Sequence, residues 1–197
     1  LLFISYLCRK YNIYMVNFCL KDDEKLLLKS LIGRKLLYFK HDPLDKFGEE
    51  TVYEKVELFF DDLIILVNYY YEPYPLFANN VDDHPKFSIK VIKEEEAVSA
   101  LQNTQQINVK CGQTIKGISL VEDYVKVEWN GKKDDVRMMK AIIIKFNDKE
   151  GAMQGDYMMP LLDIFKGENV KDMLGTQADE FEDNETKYES ERFFIDL

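Results

Sequence analysis

The sequence predicts an α+β protein built mostly of antiparallel strands: a meander sheet or sheets with a few short flanking helices. Three observations carry that prediction. Apolar residues recur at period two through much of the chain, as at Val52, Val56, Leu58 and Phe60, which is the spacing of a half-buried strand. Asn130-Gly131 stands between two such segments, and both residue types tolerate the positive φ of a tight hairpin turn. Helical spacing is confined to short windows bounded by acids and by glycine or proline.

The first helical window runs from Asp23 to Ile32. Asp22 or Asp23 is placed to cap it, Leu27, Leu28, Leu31 and Ile32 share one side, and Gly33 suits the residue past its end. Residues 35–39 then read as a strand, and the polar stretch from His41 to Glu50 as a loop broken by Pro43 and Gly48. Residues 51–60 and 63–67 form a hairpin about Asp61-Asp62. The prolines of Tyr69–Phe77 and the polar residues 79–85 are expected to end the ladder there. Residues 87–92 read as a strand and 94–101 as a short helix with three acids at its positive end. Further strands are expected at 113–120, 124–129 and 138–146, and helical turns at 160–167 and 169–174.

The polar run Gln102–Gln106 divides the chain into β-rich lobes at 15–103, with the N-terminal helix, and 104–178, preceded by residues 1–14 as an N-terminal extension before Met15 and followed by an acidic tail at 179–197. Two readings stay open. Ile89-Lys90-Val91 with Glu95, Ala97 and Val98 lines up with Ile144-Lys145-Phe146, Glu150, Ala152 and Met153, as an internally duplicated β unit would. One continuous sheet with flanking helices gives the same pattern without duplication.

Charge narrows the function classes. With 36 acidic against 26 basic residues the net charge is −10, which disfavours general nucleic-acid binding, because that requires a basic face. Eight acids against two bases place −6 of it in residues 179–197, so the rest of the chain is nearly balanced. Three cysteines with no C-x-x-C pair fit a reducing compartment. The apolar run at residues 1–8 is far shorter than the ~20 residues of a membrane span, and its charges follow it. A cytoplasmic location and no membrane attachment are the expectation.

No motif specifies a cofactor. The glycines of Gly112–Gly117 have phosphate-loop spacing, but Ile118 stands where lysine is needed and strand follows instead of helix. The two histidines give a metal-dependent enzyme as one alternative: His41 beside Asp42, and His84 after Asp82 and Asp83, form a mixed imidazole and carboxylate set if their segments converge. Tyrosines interleaved with prolines make rigid amphipathic surfaces suited to a partner, which nominates Tyr69, Tyr70, Tyr71, Tyr74 and Phe77. The tail ends in Phe193-Phe194-Ile195, an apolar tip on an acidic arm that either docks on a basic partner or folds back as a strand. The leading expectation is a macromolecule-binding protein, in concrete form an inhibitory or immunity-type protein that neutralises a basic protein. A structural or assembly protein with exposed sheet edges is the third class.

Overall fold

The computed structural model describes residues 15–47, 50–76, 80–100, 107–156, 162–175 and 186–197. The expected extension at 1–14, the boundary at 102–106 and the front of the acidic tail lie outside the described residues. The elements in chain order are β1 (Met15–Phe18), α1 (Asp22–Ser30), β2 (Lys35–Phe47), β3 (Glu50–Phe59), β4 (Ile64–Leu76), β5 (Asn80–Ile92), α2 (Glu94–Ala100), β6 (Ile107–Thr114), β7 (Gly117–Trp129), β8 (Lys132–Lys145), β9 (Glu150–Gly155), β10 (Leu162–Gly167), a 3-10 turn (Val170–Met173) and β11 (Thr186–Asp196).

Two mostly antiparallel sheets account for all the strands. One has the order β11-β7-β8-β9-β10, with β1 added in parallel beside the first half of β8. The other contains β6-β2-β3-β4-β5. Among the described residues they join at the pair Leu162 of β10 with Tyr53 of β3. Both lobes read from sequence contribute to each sheet: β1 pairs β8 and β6 pairs β2. The two aligned segments differ in structure where they end, since Glu95 and Ala97 lie on α2 but Ala152 and Met153 on β9.

The inner faces meet in one apolar core. Val56, Leu58, Ile65, Val67, Phe87 and Ile89 come from one sheet, and Ile118, Leu120, Ile142, Ile144 and Met153 from the other. Helix α1 adds Leu28 and Leu31, with Leu27 and Ile32 packed against them, as its spacing predicts. Its N-terminus is capped differently from expectation. Lys21 holds the N-cap position, and the Glu24 carboxylate accepts from the Lys21 N–H at 2.8 Å and from the Ile89 N–H of β5 at 2.8 Å. One buried side chain thus satisfies an orphan helix donor and a sheet-edge donor together. Gly33 has φ +89°, so the chain leaves the helix through a conformation that glycine adopts without strain.

The strands outrun their sequence signals at the prolines. β2 continues to Phe47 through the segment expected as a loop, with ladder irregularities on either side of Pro43. The β4–β5 pairing runs on to Leu76–Asn80, past Pro73, Pro75 and Pro85. β3 pairs β4 only as far as Asn68, so beyond it the hairpin is two-stranded and each strand has an outer edge where a missing N–H costs nothing. Residues 162–167 form β10 instead of the expected helical turn, whereas the 3-10 turn falls within the window 169–174. The Asn130-Gly131 turn is as expected, with φ +50° and +73° and Trp129 paired to Lys132. Among the described residues no helix is long and apolar enough to cross a membrane.

Two local features make testable demands on stability. A Cβ built on Gly155 would stand 2.3 Å from the Tyr69 ring, whose hydroxyl donates to the Asp156 carbonyl at 2.5 Å. Gly155→Ala is expected to cost about 1–3 kcal/mol through overpacking, read from the urea midpoint, and pairing it with Tyr69→Ala should remove most of that increment. Glu57 is 0 % exposed on the outer face of β3, and neither carboxylate oxygen has a hydrogen-bond partner among the described residues. Burial pushes its carboxyl up to about 7, with Lys40 pulling it partly back. Between the ordinary carboxylate range and pH 7 the folded state holds a proton that the unfolded state has lost, so stability falls as pH rises through that window. Glu57→Gln should flatten the slope and gain up to about 3 kcal/mol at pH 8, measured by urea titration at several pH values.

Candidate partner-binding site

The C-terminal segment folds back. β11 lies antiparallel along β7 from Thr186–Trp129 to Asp196–Ser119. The fold-back form of the tail is therefore the one found over residues 186–197, and no free arm exists there. The pairing depends on an irregularity in the neighbouring ladder. Val121 faces Ala141 but Glu122 faces Met139, which leaves Lys140 as the extra residue of a β-bulge. Across that bulge the two carboxylates of Glu122 and Asp123 are both fully buried.

Each carboxylate has its own cations. Asp123 receives the Arg192 guanidinium as a fork, Nε to Oδ1 and an Nη to Oδ2, both at 2.7 Å, while the other Nη donates to the Gly175 carbonyl at 2.9 Å. Glu122 lies between Lys25 of α1, at 3.3 Å, and the Arg137 guanidinium. Lys140, itself buried, donates to the Gly155 carbonyl at 2.8 Å, and burial lowers its ammonium to about 8. Buried charges are tolerated only when paired and hydrogen-bonded in this way. The distal end of β11 is held by Asp196, which accepts from Ser119 Oγ at 2.5 Å and Lys145 Nζ at 2.8 Å; those two bonds, Lys145 first, keep its carboxyl below the usual range.

Fixed in this way, β11 has a ladder on one side only among the described residues. Its outer edge presents a row of backbone donors and acceptors. Phe193 and Phe194, each 42 % exposed, sit on opposite faces of this strand. The Lys171 ammonium lies 4.4 Å from the Phe194 ring centroid, and Lys187, Glu189 and Glu191 are exposed along the strand. No family model, no curated protein and no solved structure matches the chain.

The other nominated residues fare differently. Tyr69 is core, 4 % exposed and packed on Phe87, so it is removed from the surface set. Tyr70 is half-buried and Tyr71 exposed, both on β4. Phe77 and the side chain of Tyr74 lie outside the described residues. For the metal set, His41 and Asp42 fall on β2 and Asp82, Asp83 and His84 on β5, with β3 and β4 between them. The His84 ring stacks on Phe18 with centroids 4.9 Å apart. The side chains of His41, Asp42, Asp82 and Asp83 lie outside the described residues. No group of three or more His, Cys, Asp or Glu placed to hold a metal occurs among the described residues.

The Glu122, Asp123, Lys140 and Arg192 cluster was missed in the sequence. The available signal was a Glu-Asp pair and a lone lysine, each interrupting an otherwise apolar strand. Arg192→Ala should cost about 3–5 kcal/mol by leaving the Asp123 charge buried and uncompensated. Amide exchange along residues 186–196 should then quicken more than exchange in β4.

Proposed function

We propose that this chain is a protein-binding module that recognises an extended, basic segment of a partner by strand addition to β11. The observation that carries the reading is the one-sided β11 ladder beside an exposed phenylalanine pair. In strand addition the backbone edge supplies affinity and alternate side chains supply choice. Charge selects the partner's chemistry. Glu189 and Glu191 stand exposed on the strand, and the seven residues before Thr186 that begin at Asp179 include five acids and no base. Such a surface speeds capture of a basic partner and repels acidic ones. When the captured segment belongs to a basic enzyme, the module acts as its inhibitor.

A synthetic peptide of alternating lysine and valine, as long as β11, is the probe. It should bind the full chain with an affinity that falls as salt rises, and should slow exchange of outward-facing β11 amides. Glu189→Lys with Glu191→Lys should weaken it about tenfold, as reversal of two exposed charges allows. Equal binding of the glutamate–valine counterpart would overturn the reading. So would light scattering that shows a dimer whose protected amides are those of β11, because a second copy then occupies the edge.

A further inference from the structure

Among the described residues β10 meets β3 at the pair Leu162–Tyr53. Past Leu162, β10 continues to Gly167 paired among the described residues with β9, while β3 runs between β2 and β4 in the other sheet. A cavity of about 320 Å³ opens between the two sheets. Its walls are apolar and come from both sheets, with Leu36, Val56 and Leu58 facing Ile144, Met153 and Ile164. An apolar cavity of 150 Å³ takes up benzene, so this one has room for roughly a dozen non-hydrogen atoms.

The polar lining is asymmetric in sign. Lys149, in the turn between β8 and β9, and Lys166 of β10 line the opening and are both exposed. The pairing of Lys166 with Gly151 brings β10 alongside the start of β9, next to the turn that carries Lys149. Neither ammonium group has an ion-pair or hydrogen-bond partner among the described residues. Glu150, the one acid of the lining, accepts from the Val170 N–H at 3.2 Å and is committed to the 3-10 turn. Two ammonium groups against one carboxylate give the rim of this apolar chamber a net charge of +1, a local exception in a chain of net charge −10.

We propose that this cavity is a binding site for a small amphipathic carboxylate, its apolar body between the sheets and its anionic head at Lys149 and Lys166. The site is separate from the β11 edge and does not depend on the reading given for it. Few polar groups at the mouth of an apolar pocket are the usual means of orienting such a ligand.

Cys111 lines the cavity and is half-buried, which supplies the readout. Cys19 is buried, and burial with the neighbouring Glu122 carboxylate pushes its thiol up to about 12, so it reacts slowly. In a Cys8→Ser chain, decanoate should slow alkylation of Cys111. Decanol should protect about fivefold less well, the size expected of exposed ion pairs, and decylammonium less still. Lys149→Glu with Lys166→Glu, two surface changes that leave the core intact, should reverse the order of decanoate and decylammonium. Ile164→Trp should abolish protection by filling the chamber. Unchanged alkylation in decanoate overturns the proposal, and equal protection by all three compounds overturns the role of the lysines.

Discussion

Two adjacent carboxylates, Glu122 and Asp123, are buried in the middle of β7, and much of the molecule's arrangement follows from supplying them with cations. Alternation would send neighbouring side chains to opposite faces of the sheet. The two acids accordingly draw partners from different places. Glu122 is met by α1 through Lys25 and by β8 through Arg137, and Asp123 by β11 through Arg192. Helix, central strand and C-terminal strand are tied to one dipeptide. Desolvating two ions costs several kcal/mol each, and the attraction offsets this only when the geometry is good and the remaining donors are satisfied. Arg192 meets that condition: all three of its described bonds are at 2.9 Å or less.

The bulge is the geometric counterpart of this electrostatic arrangement. An extra residue in one strand bends it and re-aims side chains, and here that residue is Lys140, turned to the Gly155 carbonyl. Gly155 is also where the Tyr69 ring packs and where β9 ends. The middle of the β4–β5 hairpin, just past the point where β3 stops pairing β4, is thereby anchored next to the bulge, through Tyr69 and the Asp156 carbonyl.

Much of the secondary structure was legible in the sequence because its signals are local. The α1 face, the hairpin at Asp61-Asp62, the Asn130-Gly131 turn and the acids opening α2 all act within a few residues. Two kinds of element were not legible. Prolines imply broken ladders only where both strand edges are paired, and whether β4 has a second neighbour beyond Asn68 is decided by distant parts of the chain. Glu122-Asp123 reads as a break between strands at 120 and 124, since charges in an apolar run are costly. The compensating Arg192 lies 69 residues from Asp123, and no pattern short of the fold connects them. The residues nominated for partner binding divide in the same way: the exposed pair Phe193-Phe194 was found from its apolar character, but Tyr69 carried that character into the core.

The position of Arg192 also changes what the acidic tail means. As a free arm, residues 179–197 would present their charge in many conformations and lose that freedom on docking. As a strand held by Asp123 at its centre and by Ser119 and Lys145 at its end, residues 186–196 present an edge already in register. Ordering entropy that a disordered segment loses at binding has here been lost on folding, at the expense of stability elsewhere. The ion pair that fixes β11 is buried, so salt screens it little, whereas Glu189 and Glu191 on the exposed side are screened strongly. On the proposed reading, raising ionic strength therefore weakens attraction to a basic partner more than it loosens the centre of the strand, whose Arg192–Asp123 pair is buried. This separates recognition by charge from integrity of the edge within one short segment.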